Sequence, residues 1–231
     1  MHALITGATS GMGLAAAELL AKRGYALTLV GRRDEVLAEL ATGWAATYGV
    51  AVTPVAVDLA DEAGIEAAIA AAPETLDVLI HAAGLLTHGP LWDSDPAALR
   101  AMLRVNLEAP VLLNRALLPR MRFGGAVIHV ASNAGRIAFG NAAAYCASKF
   151  GLIGLSEALY DPMRARGVKV AALEPGYVDT PMVQDDPRLI PEHMIPVEDV
   201  TAAIAYILDC SPNTAPSEIR LRPIQDVYRH N

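Results

Sequence analysis

The stretch Thr6-Gly7-Ala8-Thr9-Ser10-Gly11-Met12-Gly13 decides the reading of this chain. An apolar segment of strand length, His2–Thr6, runs into it, and an alanine-rich segment with helical spacing, about 11–24, leaves it. Glycine at a strand-to-helix turn permits a tight backbone, a close approach to a pyrophosphate, and close packing of helix on strand. The helix start adds free N–H groups and a partial positive charge. Gly7, Thr9, Ser10, Gly11, Met12 and Gly13 are therefore candidate contacts of a dinucleotide, in the spacing Gly-x-x-x-Gly-x-Gly. Such clusters also make purely structural turns. What favours a cofactor is the position at the opening of a strand–helix–strand unit.

Outward from this turn, short apolar runs alternate with helix-length segments. The runs are 26–30, 50–57, 76–80, 126–130 and 168–173, with a short one at 218–221. Most carry Val, Ile and Leu on consecutive positions, the pattern of strands covered on both faces. The helix candidates are 33–48, 61–72, 96–121, 142–166 and 197–209. This alternation predicts an α/β fold, one domain over 1–231: a doubly wound, Rossmann-type parallel sheet flanked by helices, binding ligands at the carboxyl ends of its strands. Residues 181–196 break the pattern with Pro181, Pro187, Pro191 and Pro196, so no single regular helix fits there. That stretch, taken as 180–197, is a candidate substrate lid; an inert surface loop is the other reading.

With 231 residues, 53% of them hydrophobic, the chain can bury a full core. Its net charge of -7 argues against a nucleic-acid partner, which needs clustered cations. Cys146 and Cys210 form neither a disulfide framework nor a metal-ligand spacing, so no metal is expected. No run approaches the roughly 18 apolar residues of a membrane helix. The expectation is a cytoplasmic protein without membrane contact.

The second strand ends Val30-Gly31-Arg32-Arg33, where NAD-binding units usually carry an acidic residue for the ribose hydroxyls. Two guanidiniums suit a 2′-phosphate, which favours NADP(H) over NAD(H). Solvated arginines starting the next helix, one of them paired with Asp34, are the competing account.

The chemistry lies further on. Tyr145 and Lys149, at i and i+4, project from one helix face, with Ser132 thirteen residues upstream of the tyrosine. A free phenol near pKa 10 exchanges protons poorly at neutral pH. A cation about 4 Å away, at an effective dielectric of about 20, contributes on the order of 4 kcal/mol, enough to lower that pKa by up to about 3. Tyr145 then becomes a general acid for a carbonyl oxygen, and Ser132 a hydrogen-bond donor to the same oxygen.

Taken in order, Thr6–Gly13, Asp58, His81–Gly84, Asn106, Ser132, Tyr145 with Lys149, and Pro175-Gly176 resemble the single-domain branch of the short-chain dehydrogenase/reductase family over essentially the whole chain. The resemblance implies that Lys149 reaches the nicotinamide ribose and that Asn106 holds a water relaying protons from Lys149. It implies that Asp58, with Leu59, meets the adenine, although Asp58 also suits a helix cap. Ala83 and Gly84 would bring backbone to the cofactor, and Pro175, Gly176, Val178 and Thr180 would meet the nicotinamide amide. It implies too a homodimer or homotetramer formed through 96–121 and 142–166.

The chain departs from the family pattern in three respects. His81-Ala82-Ala83-Gly84 replaces the usual Asn-Asn-Ala-Gly, with His81 read as a core histidine. The carboxyl end lacks the glycine pair of the acyl-carrier ketoacyl reductases. No room exists for an added substrate domain. The function expected is interconversion of a small-molecule carbonyl and alcohol on a fairly apolar substrate. Leu85, Leu86, Trp92, Ile137, Tyr177, Val178 and Met182 are candidate pocket or core residues. The alternative, a non-catalytic nicotinamide-nucleotide sensor, predicts erosion of the Asn, Ser, Tyr and Lys set.

Overall fold

The central strands each feed two cores at once. Ala3, Ile5, Val78, Ile80, Ile128 and Val130 pack to one side of a sheet, while Leu4, Leu79 and Val127, interleaved with them, pack to the other. That alternation is why consecutive apolar residues, not every second one, mark these strands. A fully buried side chain such as Leu4 or Ile5 contributes roughly 1.5–3 kcal/mol, so both faces are strongly committed.

A computed structural model describes residues 1–229. Its elements are β1 (His2–Thr6), α1 (Gly11–Lys22), β2 (Ala26–Gly31), α2 (Asp34–Tyr48), β3 (Val52–Ala56), α3 (Glu62–Ala71), β4 (Leu76–His81), α4 (Pro96–Leu103), α5 (Ala109–Leu117), β5 (Met121–Val130), α6 (Ala143–Arg164), β6 (Lys169–Pro175), α7 (Val197–Asp209) and β7 (Glu218–Leu221). The seven strands are parallel in the order β3-β2-β1-β4-β5-β6-β7. Helices α1, α2 and α7 cover one face; α3, α5 and α6 cover the other. Pro54 sits in β3, an edge strand, where its missing N–H costs nothing in the ladder.

The doubly wound fold is as expected, with two corrections. β5 begins at Met121, not Ala126, and the single helix expected over 96–121 is interrupted. Between α4 and α5, residues Arg104–Glu108 form a turn of π-helix. Its wider pitch accompanies inward bonding: Arg104 donates to the Ala60 carbonyl (3.1 Å), and Asn106 turns its amide onto the Leu85 backbone.

Strand order reverses between β1 and β4, so their carboxyl ends open a crevice. Gly7, at φ +70°, lies against the Ala82–Ala83 peptide; a Cβ there would come 2.7 Å from the Ala83 nitrogen. A Cβ on Gly13 would sit 2.3 Å from the Gly7 carbonyl oxygen, which is how α1 packs so closely on β1.

The stretch 181–196 is irregular, as its prolines require. It holds one 3-10 turn, Pro191–His193, and is bound to the carboxyl-terminal tail. Leu189 bridges Tyr228, the Ile190 N–H meets the Val227 carbonyl at 2.8 Å, and Leu189, Met194 and Val227 form a small core of their own.

Candidate active site

Two hollows meet at the carboxyl edge of the sheet. The first is a groove over the β1/β4 crevice. Gly7, Thr9, Ser10, Gly11, Met12, Gly13, Arg32, Asp58, Leu59, Ala83, Gly84 and Thr180 all line it. No side chain caps the start of α1, and its first turn carries no acidic residue. The N–H groups there and the helix dipole remain available to an anion. Thr180 closes the groove opposite Gly11, its methyl 3.2 Å from where a Cβ of Gly11 would stand. These walls suit a dinucleotide whose pyrophosphate meets backbone rather than side chains.

At the outer end, Arg32 lies 3.9 Å from Asp58 in an exposed ion pair. Arg33 does not line the groove; its guanidinium donates to the Thr9 carbonyl and so braces the glycine turn. Asp58 Oδ1 accepts the Ala60 N–H at 2.9 Å in a local turn ahead of α3, whose N-cap is Asp61 and not Asp58, while its other oxygen faces Arg32. Among the described residues no ion pair joins Asp34 to either arginine.

The second hollow, a cavity of about 440 Å³, adjoins the first. Ser132, Tyr145, Pro175, Gly176 and Val178 line it, with Met12, Thr180 and Met182 shared between the two. Ser132 ends β5's loop with its Oγ accepting the Ala134 N–H (3.1 Å) and lying 3.4 Å from the Pro175 carbonyl. One turn along α6, Lys149 is buried, with Nζ donating to the Val130 carbonyl (3.0 Å) and 5.7 Å from the centre of the Tyr145 ring.

The electrostatics correct one expectation. Burial raises the Tyr145 phenol above its usual value, and the nearby Ser132 hydroxyl only partly opposes it. Lys149 does not pull it down, because burial of the ammonium lowers Lys149 itself to about 8. Tyr145 therefore keeps its proton through the neutral range, the form that donates.

Asn106 is buried behind the seam of the two hollows. Its Oδ1 accepts the Leu85 N–H (2.8 Å), and its Nδ2 donates to the Leu85 carbonyl (2.9 Å) and Ser148 Oγ (3.1 Å). Asn106 and Lys149 flank Gly84: a Cβ there would lie 3.6 Å from Asn106 Oδ1 and 3.8 Å from Lys149 Nζ.

His81 is a core residue, as expected. Its ring stacks on His129 of the adjacent strand at 5.0 Å. Burial brings His81 down to about 4 and His129 well below its usual range, so both rings are neutral. Ser156 donates to the Leu152 carbonyl (3.1 Å), which makes His129 Nδ1 the donor to Ser156 Oγ (2.8 Å). Asn114 then donates to His129 Nε2 (2.8 Å) and accepts from His81 Nε2 (3.1 Å). This chain braces β4 against β5 where the family's asparagine is missing.

Leu86, Ile137, Tyr177, Val178 and Met182 line the cavity. Leu85 does not; it lines the cofactor groove, because Asn106 holds its backbone there. Trp92 lines neither and is 85% exposed on a 3-10 turn. Sequence reasoning missed His88, Asn133, Phe139, Asn141, Arg222, Gln225 and Val227 in the cavity wall. Only Asn133, beside Ser132, carried any local signal. Among the described residues there is no cluster of metal-ligating side chains and no helix long and apolar enough to cross a membrane.

The model of the short chain dehydrogenase family matches residues 1–188. The chain belongs to that family. It is thus an oxidoreductase of the group whose members act on alcohol and carbonyl groups. Among its relatives, a 1-deoxy-11-beta-hydroxypentalenate dehydrogenase of Streptomyces exfoliatus is 34% identical, over 99% of this chain and 88% of the relative. A D-threitol dehydrogenase of Mycolicibacterium smegmatis is also 34% identical, over 89% and 84%. The crystal structure of L-sorbose reductase from Gluconobacter frateurii, complexed with NADPH and L-sorbose, superposes with a TM-score of 0.85 at 25% identity, covering 96% of this chain and 94% of that one.

Proposed function

We propose that this short-chain dehydrogenase interconverts a carbonyl and an alcohol on a small, fairly apolar molecule, with NADP(H) as its cofactor and Tyr145 as general acid or base. The observation that carries the reading is the convergence of Ser132, Tyr145, Lys149 and Asn106 where the groove and cavity join. When bound, the nicotinamide supplies or accepts the hydride. The chain does the rest. Tyr145 delivers a proton to the carbonyl oxygen, and Ser132 donates a hydrogen bond to that oxygen as charge builds on it. Lys149 holds the ribose with the ammonium that now donates to Val130, and Asn106 fixes the Leu85 backbone and a relay water beside Lys149. Gly7 to Gly13 and Ala83-Gly84 bind the pyrophosphate and nicotinamide halves, Asp58 and Leu59 the adenine, and Pro175 to Thr180 the nicotinamide amide.

Support for NADP(H) comes from Arg32 at the groove's outer end and from relatives such as the sorbose reductase solved with NADPH. The relatives' names, a terpenoid acid and a tetritol, leave the substrate wide, and the largely apolar cavity favours an apolar body. Residues 180–197 act as the lid, since Met182 and Val183 form cavity wall. Exposed Leu103, Val111 and Phe150 on α4, α5 and α6 suit assembly into a homodimer or homotetramer in the cytoplasm.

The test is a panel of ketones, aldehydes and alcohols followed by nicotinamide absorbance, with Tyr145→Phe as the deciding variant. Carbonyl reduction should fall at least about 10²-fold. Folding and cofactor affinity should survive, because only a hydroxyl is lost. Turnover at the wild-type rate would sink the mechanism.

A further inference from the structure

Three guanidiniums gather at the carboxyl ends of β6 and β7, and two of them are matched by acids. Glu174, 1% exposed, receives Arg136 through two nitrogens (2.9 and 3.1 Å) and Arg220, its register partner across the strands, at 3.2 Å. Glu218 adds a second carboxylate to Arg136. Two residues beyond Arg220 comes Arg222, in the cavity wall that also holds Ser132 and Tyr145. Among the described residues, Arg222 makes no hydrogen bond and no ion pair. Nearly every other arginine makes at least one, to Asp209, Thr9, Asp58, Glu108, Ala72, Asp77, Asp161, Leu118, Asp186 or Leu189. The exceptions besides Arg222 are Arg100 and Arg115, both on the outer faces of helices.

No carboxylate of the cavity wall forms an ion pair with Arg222 among the described residues. The other charged side chain in its wall, Asp226, is engaged elsewhere, with Oδ1 accepting the Tyr228 N–H at 2.9 Å. The rest of the wall holds no further carboxylate and is largely apolar, with Ile137, Phe139 and Val227 among its residues. Arg222 is exposed, but a guanidinium with apolar surface along one side attracts an oxyanion more strongly than one ringed by water. The chain's net charge of -7 supplies no general pull on anions, so the attraction is local to this wall.

We infer that the cavity takes substrates that carry a carboxylate besides the reacting group, with the carboxylate held by Arg222. The inference deepens the proposed function and rests on it for which atoms react. It recasts the substrate as an apolar body ending in an acid, and Arg222 as a specificity-determining residue.

The test uses keto acids and their methyl esters of identical carbon skeleton, 4-oxopentanoate and 5-oxohexanoate, with the full-length protein saturated with NADP(H). Dissociation constants come from calorimetry, and kcat/KM from nicotinamide absorbance. Each acid should be preferred over its ester by at least about fivefold, the scale of one partly solvated charge-assisted contact. The preference should shrink in high salt. It should approach one in Arg222→Gln and invert in Arg222→Glu, both of which should fold normally because the side chain has no partner to lose. If no acid binds or turns over better than its ester, the inference fails, whatever carbonyls are reduced. If acids bind in the Arg222-dependent way and nothing is reduced, the carbonyl chemistry fails and the anion site stands.

Discussion

The cofactor groove and the substrate cavity share Met12, Thr180 and Met182, yet they are built on opposite principles. The groove is made of backbone brought close: Gly7 against Ala82–Ala83, and Gly13 against Gly7. The cavity is made of side chains from separate segments, Leu86 to His88, Ala131 to Tyr145, Pro175 to Val183, and the tail from Arg222 to Val227. Backbone contact tolerates almost no change, because any Cβ collides with atoms that cannot step aside. Side-chain walls can be exchanged one at a time. One fold can thus keep a cofactor while changing what it acts on.

The sharpest way to break this contrast is to alter a few carbon atoms in each hollow. Gly13→Ala puts a methyl 2.3 Å from the Gly7 carbonyl oxygen, so helix and turn must part. Overpacking of this kind costs about 1–3 kcal/mol, and the displaced turn is the pyrophosphate site. Affinity for NADPH should fall between about tenfold and a hundredfold in calorimetric titration. Ile137→Ala, in the cavity wall and 47% exposed, should leave that affinity within about twofold and change the ranking of substrates instead. Equal loss from both would mean the hollows are not independent.

The same contrast explains what was legible in the sequence. The groove was, because its glycines, Arg32, Asp58 and Ala83-Gly84 are fixed by short spacings next to strand ends. The apolar runs announced the two-faced sheet for the same local reason. Arg222, Gln225 and Val227 were not legible, since only β7's pairing with β6 carries the tail to Ser132. Nor was the π-turn at Arg104–Glu108, which depends on Asn106 reaching the Leu85 backbone. Tyr145 is raised where the sequence led one to expect it lowered, because burial acts on both groups, lifting the phenol and bringing Lys149 down to about 8.

Lys149 stands where the hollows join, and it sharpens the comparison by stability. Its pKa falls from 10.5 to about 8 on burial. Below pH 8 the ammonium is charged in both states, and the full burial penalty is present. Between 8 and 10.5 the unfolded chain binds more protons than the folded one, so stability rises with pH across that window. The difference of 2.5 pH units, at about 1.4 kcal/mol each, bounds the penalty at about 3.5 kcal/mol. Replacing the ammonium removes that penalty and loses the hydrogen bond to Val130, worth about 1 kcal/mol. Lys149→Met should therefore be more stable at pH 7 by up to about 2.5 kcal/mol, with the advantage gone by pH 10.5. Thermal unfolding at pH 7 and pH 10.5 reads this directly. The same variant should bind NADPH more weakly and lose activity. A variant less stable than wild type at pH 7 would make Lys149 a structural residue first.

The smallest effect lies at the groove's outer end, where side chains replace backbone. Arg32 is 65% exposed and shares its charge with Asp58 at 3.9 Å, so a phosphate contact there competes with water and a carboxylate. Contacts between exposed charges are worth about 0.2–1 kcal/mol. Arg32→Ala should weaken NADPH by no more than about fivefold, leave NADH within error, and show a smaller difference as salt rises. Arg33→Ala should behave differently, because its guanidinium donates to the Thr9 carbonyl inside the glycine turn. Loosening that turn weakens the pyrophosphate site common to both cofactors, so NADPH and NADH should fall together. Calorimetric titration of each variant with each cofactor separates the roles. Wild-type protein that binds NADH as tightly as NADPH would reduce Arg32 to groove wall and remove this end of the molecule from cofactor choice.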